Sequence, residues 1–495
     1  MMRIAVVGAG YVGLTTAAGF AELGHTVHCV DGDTAKIGQL SRGEVPYREP
    51  GLESLILRNV SAGRLTFGSD ASRLLRGAEL MFIAVKTPSD EKGDMSLALL
   101  WSVIDQLEAW PEADGKKLIA IRSTVPIGTA ERAEARLKNR LSASCEIEVV
   151  SVPEFMREGS AVRDFFEPIR MVIGADTPDT ADRLTQLHQR LPGPIVTTDR
   201  RSAELAKLAA NAYLAVKISF ANEMAAFAEQ VGADYPSVAH TLGLDPRIGP
   251  HFLSAGLGFG GASMPKDART LVRMADEAGA PQTLVEAAVR ANAMLPLRMV
   301  RKLEAALSDP GRRKVALLGL AYKPGTDDMK EAPSLRLAAE LSRRHPGITL
   351  TAYDPEANAA ARRVLPAMVT VCESAEEALS GADAAIVVTE WSEFRQIKAD
   401  DFKTWMNRPI IMDGRNTLDA SALNAQGVVC IGVGRLPVIP KGLARQADNE
   451  RVRTVIAERM PANENSQGDH SRGGIGNAFP PGDESNAQGN AAHHR

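Results

Sequence analysis

The chain has 495 residues, of which 44% are hydrophobic and 24% charged, ordinary proportions for a globular protein of about three domains. Lys and Arg number 57 against 61 Asp and Glu, a net charge of −4, which argues against a nucleic-acid binder with a strong basic face. The four cysteines (29, 145, 372 and 430) form no CxxC pair and the nine histidines no HExxH, so no metal site is expected. The start, MMRIAVVGAG, lacks the features of a secretory signal. No apolar run reaches the length of about 18 residues that a membrane span needs, and the expected compartment is the cytoplasm.

In chain order, RIAVV (3–7) reads as a buried strand, 11–23 as a helix and TVHCVD (26–31) as a second strand. Strand-length apolar runs follow at 80–85, 117–123, 147–152 and 170–174, with helical segments between most of them. Strands alternating with helices predict a doubly wound parallel sheet. Over 201–230, Ala209, Tyr213, Val216, Phe220, Met224 and Phe227 recur at steps of four and three, uninterrupted by Gly or Pro. This spacing predicts one long helix spanning about 45 Å, and such a helix is suited to packing against a second copy of itself. The strand pattern restarts at 314–320, 348–354, 384–391 and 409–416. The expected architecture is α/β: two Rossmann-like doubly wound parallel-sheet domains joined by a long central helix. The expected bounds are 1–200, 201–300 for the central dimerisation and substrate region, 301–440, and an extension over 441–495. From about 461 the extension holds only Ile475 and Phe479 as large apolar residues, too few to offset the entropy of ordering, so a disordered tail is expected.

Gly8-Ala9-Gly10-Tyr11-Val12-Gly13 is a GxGxxG that follows a strand and opens a helix, and Asp31 closes the next strand 18 residues after Gly13. That context is the one a dinucleotide requires. The glycines serve a tight turn, close approach to the pyrophosphate and helix–strand packing, and the helix N-terminus attracts the phosphates. Asp31 suits the adenosine ribose hydroxyls and repels a 2′-phosphate, so NAD is expected over NADP.

Further motifs carry chemistry. In VPEFMREG, Pro153 suits the first turn of a helix, which would set Glu154 and Glu158 on one face. Lys207 and Asn211 form an i, i+4 pair, a cation and a neutral donor able to stabilise an oxyanion. Gly256-Leu257-Gly258-Phe259-Gly260-Gly261 is a loop whose backbone could approach a ligand closely. It leads into Ala262-Ser263-Met264-Pro265-Lys266-Asp267. Lys323 in GLAYKPGTDD and Arg415 in DGRN are cations beside strand ends, where a nucleotide diphosphate needs partners. No second GxGxxG occurs, so the second sheet is not expected to hold a dinucleotide.

Taken together, GAGYVGL, VPEFMREG, KLAANAY, GLGFGGASMPKD, GLAYKPGTDD and DGRN closely resemble the nucleotide-sugar 6-dehydrogenases, those of UDP-glucose type above all. The resemblance runs over roughly residues 2–440. It implies NAD-dependent oxidation of a sugar C6 hydroxymethyl group to a carboxylate, in two steps, with a homodimer built on the 201–230 helix. It implies catalytic roles for Ser263, Lys207, Asn211, Asp267, Glu158 and Thr124. On the cofactor side it implies Gly8, Gly10, Tyr11, Val12, Gly13, Asp31, Lys36, Thr87, Thr124, Glu158, Lys266 and Lys330, the last a Lys where the family usually has Arg. For the substrate it implies Glu154, Phe155, Met156, Arg157, Glu158, Lys207 and Asn211, together with Phe252, Leu253, Ser254, Ala255, Gly256, Gly260, Lys323 and Arg415. Arg247 would reach the nucleotide sugar of the neighbouring subunit. At Ser263 the family has its catalytic Cys, and a Ser hydroxyl, unlike a thiol, is not appreciably ionised near neutral pH. This departure leaves open a slowed or modified dehydrogenase, an enzyme that stops at the aldehyde, and a silent protein that binds NAD and nucleotide sugar. GDP-mannose is the alternative substrate.

Overall fold

The computed structural model describes residues 1–70, 77–90, 93, 95–107, 117–139, 146–307 and 310–435. Cys145 and the expected extension with its disordered tail lie outside them. Strands β1 (Arg3–Val7), β2 (Thr26–Val30), β3 (Leu65–Gly68), β4 (Leu80–Ile83), β5 (Lys117–Ile121), β6 (Ile147–Ser151), β7 (Met171–Gly174) and β8 (Ile195–Thr198) form one sheet in the order β3-β2-β1-β4-β5-β6-β7-β8. The central strands are covered by helices on both faces, so β4 (LMFI) and β5 (KLIAI) are buried at every residue, which is why they read as unbroken apolar runs. Edge strands β3 and β8 bury little and carry no such run. The sheet departs from the expected parallel pattern at one join: β7 meets β6 antiparallel, with Gly174 opposite Ser151. The 152–170 segment therefore turns round at a single edge of the sheet and needs no crossover.

A second sheet is all parallel. It contains β9 (Lys314–Leu318), β10 (Thr349–Tyr353), β11 (Val369–Val371), β12 (Ala384–Val387), β13 (Ile410–Asp413) and β14 (Val429–Gly432), in the order β11-β10-β9-β12-β13-β14. Its first five strands by position repeat the order of β3-β2-β1-β4-β5 in the first sheet.

Between the sheets runs the helix Arg200–Val231, 32 residues long. Its ends are marked chemically: the Asp199 side chain accepts from Ser202 N–H, and Gly232 stops the helix at φ 76°. It packs on the helices Met264–Glu277 and Thr283–Ala306, with Leu208, Ala212 and Ala215 buried against Ala268, Leu271 and Val285, while further along Ala221 and Ala225 are buried with Tyr235 and Ala255. The larger apolar residues point the other way: Tyr213 is 66% exposed, Phe220 48% and Phe227 58%.

The turn after β1 depends on missing side chains. Gly8 has φ 104°, and a Cβ on Gly13 would lie 1.7 Å from Gly8 O. At Gly10 a Cβ would meet nothing within 4 Å. Overpacking costs about 1–3 kcal/mol, so Gly13→Ala should lower the melting temperature by roughly 5 °C. Gly10→Ala should leave it unchanged in the same scanning-calorimetry experiment.

Candidate active site

The first helix, Tyr11–Glu22, begins immediately beyond the Gly8–Gly10 turn, with its N-terminal N–H groups uncapped by any side chain. Asp31, just past β2, accepts the N–H of Ala9 through Oδ2 at 2.7 Å and that of Asp33 through Oδ1 at 3.0 Å, and pairs with Lys36 Nζ at 2.9 Å. Burial pushes this carboxyl up, but the two N–H donors and the Lys36 ammonium outweigh it and hold it below the usual range. The open space at Gly10, the free helix N-terminus and the ionised Asp31 fit a dinucleotide. Thr87 Oγ1 donates to Thr124 O at 3.0 Å, which ties together two strand ends on the carboxyl edge of the sheet.

Residues 152–157 form an irregular segment, not the helix expected from Pro153. The reason is that Glu154 is engaged elsewhere: its Oε2 accepts Met156 N–H at 2.6 Å and its Oε1 lies 3.4 Å from Lys207 Nζ. Both side chains of that pair are 8% exposed. Phe155 presents its ring to two cations, Arg170 at 3.8 Å and Lys207 at 5.1 Å from the ring centroid. Met156 is buried, whereas Arg157 is exposed and forks onto Asp164 at 2.7 Å. A small cleft above β5 is lined by Ser123, Thr124, Pro153, Glu204 and Lys207. Glu204 itself is consumed, accepting Gly128 N–H, Ala130 N–H and Ser151 Oγ–H.

One turn along the long helix, Asn211 Nδ2 donates to Asp267 Oδ2 at 2.6 Å, and Lys266 Nζ lies 2.5 Å from Asp267 Oδ1. Asp267 is fully buried. Ser263, exposed, sits at the N-cap of the Met264–Glu277 helix, where its side chain caps no N–H. Glu158 faces the second sheet: Thr326 Oγ1 donates to its Oε1 at 2.9 Å and the Tyr322 hydroxyl to its Oε2 at 3.4 Å, while Lys323 Nζ donates to its carbonyl. Burial raises the Glu158 carboxyl, and nearby Asp328 adds to the effect. Tyr11 lies among Glu154, Glu158, Tyr322 and Glu49, and its phenol is pushed up, first by burial.

The glycine loop makes its close approach to protein where side chains are missing. It is pressed against protein: a Cβ at Gly256 would lie 2.6 Å from Gly414 O, and one at Gly260 2.4 Å from Glu331 O. Arg415 serves this seam, donating to Gly258 O at 3.0 Å and Val388 O at 2.8 Å. Leu253 and Ala255 are buried, and Ser254 and Phe252 exposed, with Phe252 at φ 64°. One expected contact stands away from the cluster in a single chain: Arg247 extends into solvent on Asp245. Lys330 is exposed and its ammonium lies 3.8 Å from Asp328, while its carbonyl accepts the N–H of Gly261 at 2.8 Å. Sequence reasoning missed Glu49, Arg170, Glu204, Tyr322 and Thr326. Tyr322 and Thr326 lie in a motif from which only the cation had been singled out.

The raised Glu158 carboxyl has a consequence for stability. Between its ordinary and raised pKa the folded protein holds more protons than the unfolded chain, so stability falls as pH rises through that window. Glu158→Gln removes this loss. Its melting temperature relative to the unmodified protein should therefore climb between about pH 4 and pH 8, read by thermal melts across that range.

Comparison with known proteins agrees with this arrangement. Residues 2–192 match the NAD binding domain of the UDP-glucose/GDP-mannose dehydrogenase family, 201–294 its central domain and 316–420 its UDP binding domain. The UDP-glucose 6-dehydrogenase YwqF of Bacillus subtilis is 40% identical over 441 residues, covering 89% of this chain and 99% of the relative. That of Pseudomonas aeruginosa is 41% identical over 446 residues, covering 88% and 98%. Among solved structures, a UDP-glucose dehydrogenase from Pyrobaculum islandicum superposes with a TM-score of 0.78 at 35% identity, over 85% of this chain and 96% of that one. With all three of the family's domains matched in order from 2 to 420 and relatives at about 40% identity covered over nearly their whole length, the chain belongs to the UDP-glucose/GDP-mannose dehydrogenase family.

Proposed function

We propose that this chain oxidises the C6 hydroxymethyl group of a UDP-hexose, UDP-glucose in the first instance, in the cytoplasm. The observation that carries the reading is the convergence of Glu154–Lys207 and Asn211–Asp267–Lys266 beside Ser263, at the seam of the dinucleotide fold and the second sheet. NAD, when bound, accepts the hydride at each oxidation. Gly10, Tyr11 and Val12 would lie against its phosphates, and Asp31 with Lys36 against its ribose. Lys207, buried and paired with Glu154 at 3.4 Å, supplies positive charge to oxygen as it becomes anionic. Asn211 and Lys266 fix Asp267 so that its remaining lone pairs can order a water or accept a proton. Relatives at 40–41% identity are named for UDP-glucose, which favours that sugar over GDP-mannose.

Ser263 governs the second oxidation. The described cysteines cannot replace a thiol there: Cys29, Cys372 and Cys430 are buried, and burial pushes the Cys29 and Cys430 thiols up to about 12. The first oxidation, alcohol to aldehyde, needs no nucleophile. The second proceeds from the hydrated aldehyde or through a Ser263 ester, and either route is slower than a thiolate route. With UDP-glucose and NAD, the protein should form NADH and accumulate aldehyde or an ester adduct detectable by mass spectrometry. Ser263→Cys should raise uronic acid formation about tenfold or more, with about two NADH per sugar. Ser263 turnover that equals the Cys variant would overturn the nucleophile argument. Tight UDP-glucose binding without any NADH would instead select the silent binding protein, which Ser263 alone favours.

We further propose a homodimer through the outward stripe of Tyr213, Phe220 and Phe227, an apolar row too regular for a solvated face. Phe220→Asp should shift the protein to half its mass in light scattering, while its circular dichroism stays unchanged.

A further inference from the structure

Three consecutive residues, Tyr47, Arg48 and Glu49, each touch a different part of the molecule. Glu49 is 6% exposed, and its Oε2 and Oε1 accept the N–H groups of Gly159 and Ala161, each at 2.7 Å. That turn carries Glu158, which is gripped by Tyr322, Lys323 and Thr326 of the second α/β domain. Arg48 reaches the same domain elsewhere, its Nη2 2.8 Å from Glu356 Oε1. Glu356 and the Tyr322–Thr326 segment are held as one piece by the buried carboxylate of Asp354. Its Oδ2 accepts Leu320 and Ala321 N–H at 2.6 and 3.0 Å, and its Oδ1 accepts Glu356 and Ala357 N–H at 2.9 and 2.8 Å. The contacts close a ring across the two domains, from Glu49 through Glu158 and Asp354 back to Arg48. Tyr47, on the other side, places its phenol beside the Lys36 ammonium, which pairs with Asp31.

We propose that Glu49 is a positioning residue for Glu158, and that the Tyr47–Glu49 segment couples occupancy of the cofactor's ribose end to closure of the second α/β domain. The proposal rests on the function given above. Its physical basis is that one carboxylate serves two buried N–H donors at once, and an amide in its place turns an NH2 toward one of them. The Arg48–Glu356 pair is more exposed, 64% and 22%, and contributes less. Coupling between two ligands is reciprocal, so it can be read from either one.

The test is calorimetric titration of the full chain with UDP-glucose, with and without saturating NADH, which fills the cofactor site without turnover. In the unmodified protein NADH should tighten UDP-glucose binding about fivefold or more. Glu49→Gln should bring that ratio to within about twofold of one, Arg48→Ala should lower it by a smaller factor, and Glu53→Gln, an exposed acid on the next helix, should leave it alone. The proposal falls if the unmodified ratio is one, or if Glu49→Gln and Arg48→Ala both keep the unmodified ratio. Should Glu49→Gln fail to fold, Arg48→Ala together with Tyr47→Phe decides on the same criterion. An unmodified protein that binds no UDP-glucose at all overturns the substrate assignment and this proposal with it, an outcome distinct from intact binding without coupling.

Discussion

Two lysines and two carboxylates at the heart of this molecule are each less than a tenth exposed: Lys207, Lys266, Glu154 and Asp267. A charge taken out of water must be paired, and breaking such a pair by removing one member costs about 3–5 kcal/mol. That constraint dictates the surroundings. Lys207 and Asn211 must share one face of a helix, Lys266 and Asp267 must open another, and the segment bearing Glu154 stays out of helix and meets Lys207. Buried pairs add little net stability compared with well-packed apolar residues; what they give is fixed position, which an oxyanion or a proton in transit requires.

The two sheets share a strand order, but their corresponding acids have opposite fates. Asp31 follows β2 and Asp354 follows β10, each beyond the second strand of its sheet, and each accepts an N–H from the turn after the first strand. Asp31 stays partly open beside Lys36. Asp354 is fully buried and accepts four backbone N–H groups and Trp391 Nε1–H. With its oxygens so engaged, it has no place for a ribose, and the absence of a second GxGxxG agrees. The same position is used once to face a cofactor and once to lock the loops of the UDP binding domain together.

Periodicity and turn chemistry made much of this legible in the sequence. The buried parallel strands, the glycine turn and the helix from Arg200 to Val231 follow from local pattern. What escaped depends on residues far apart in the chain. Nothing in MVIG tells β7 to run against β6, because the direction of a strand is set by its connection and not by its side chains. Pro153 fits a helix start and an extended run equally well, and the distant Lys207 decides between them. Four glycines in six residues announce a close backbone approach but not the distant protein segments, at Gly414 and Glu331, that this loop meets. Glu49 lies in no periodic element, and only its N–H partners, 110 and 112 residues away, give it meaning.

The antiparallel join has a mechanical result. Because Gly174 ends β7 opposite the end of β6, the long helix starts against Gly174, where Ala203 packs on it, and arrives at Glu154 two turns later. Its remaining 24 residues, Leu208 to Val231, continue about 36 Å past that point with neither Gly nor Pro. The helix behaves as a stiff rod: its first turns sit on the sheet and carry Lys207 and Asn211, one side of the remainder is packed on neighbouring helices, and an apolar row runs along the other side. A small angular displacement of the far end therefore shifts Lys207 by only a fraction of that movement, which protects the reacting geometry from whatever the outer face encounters.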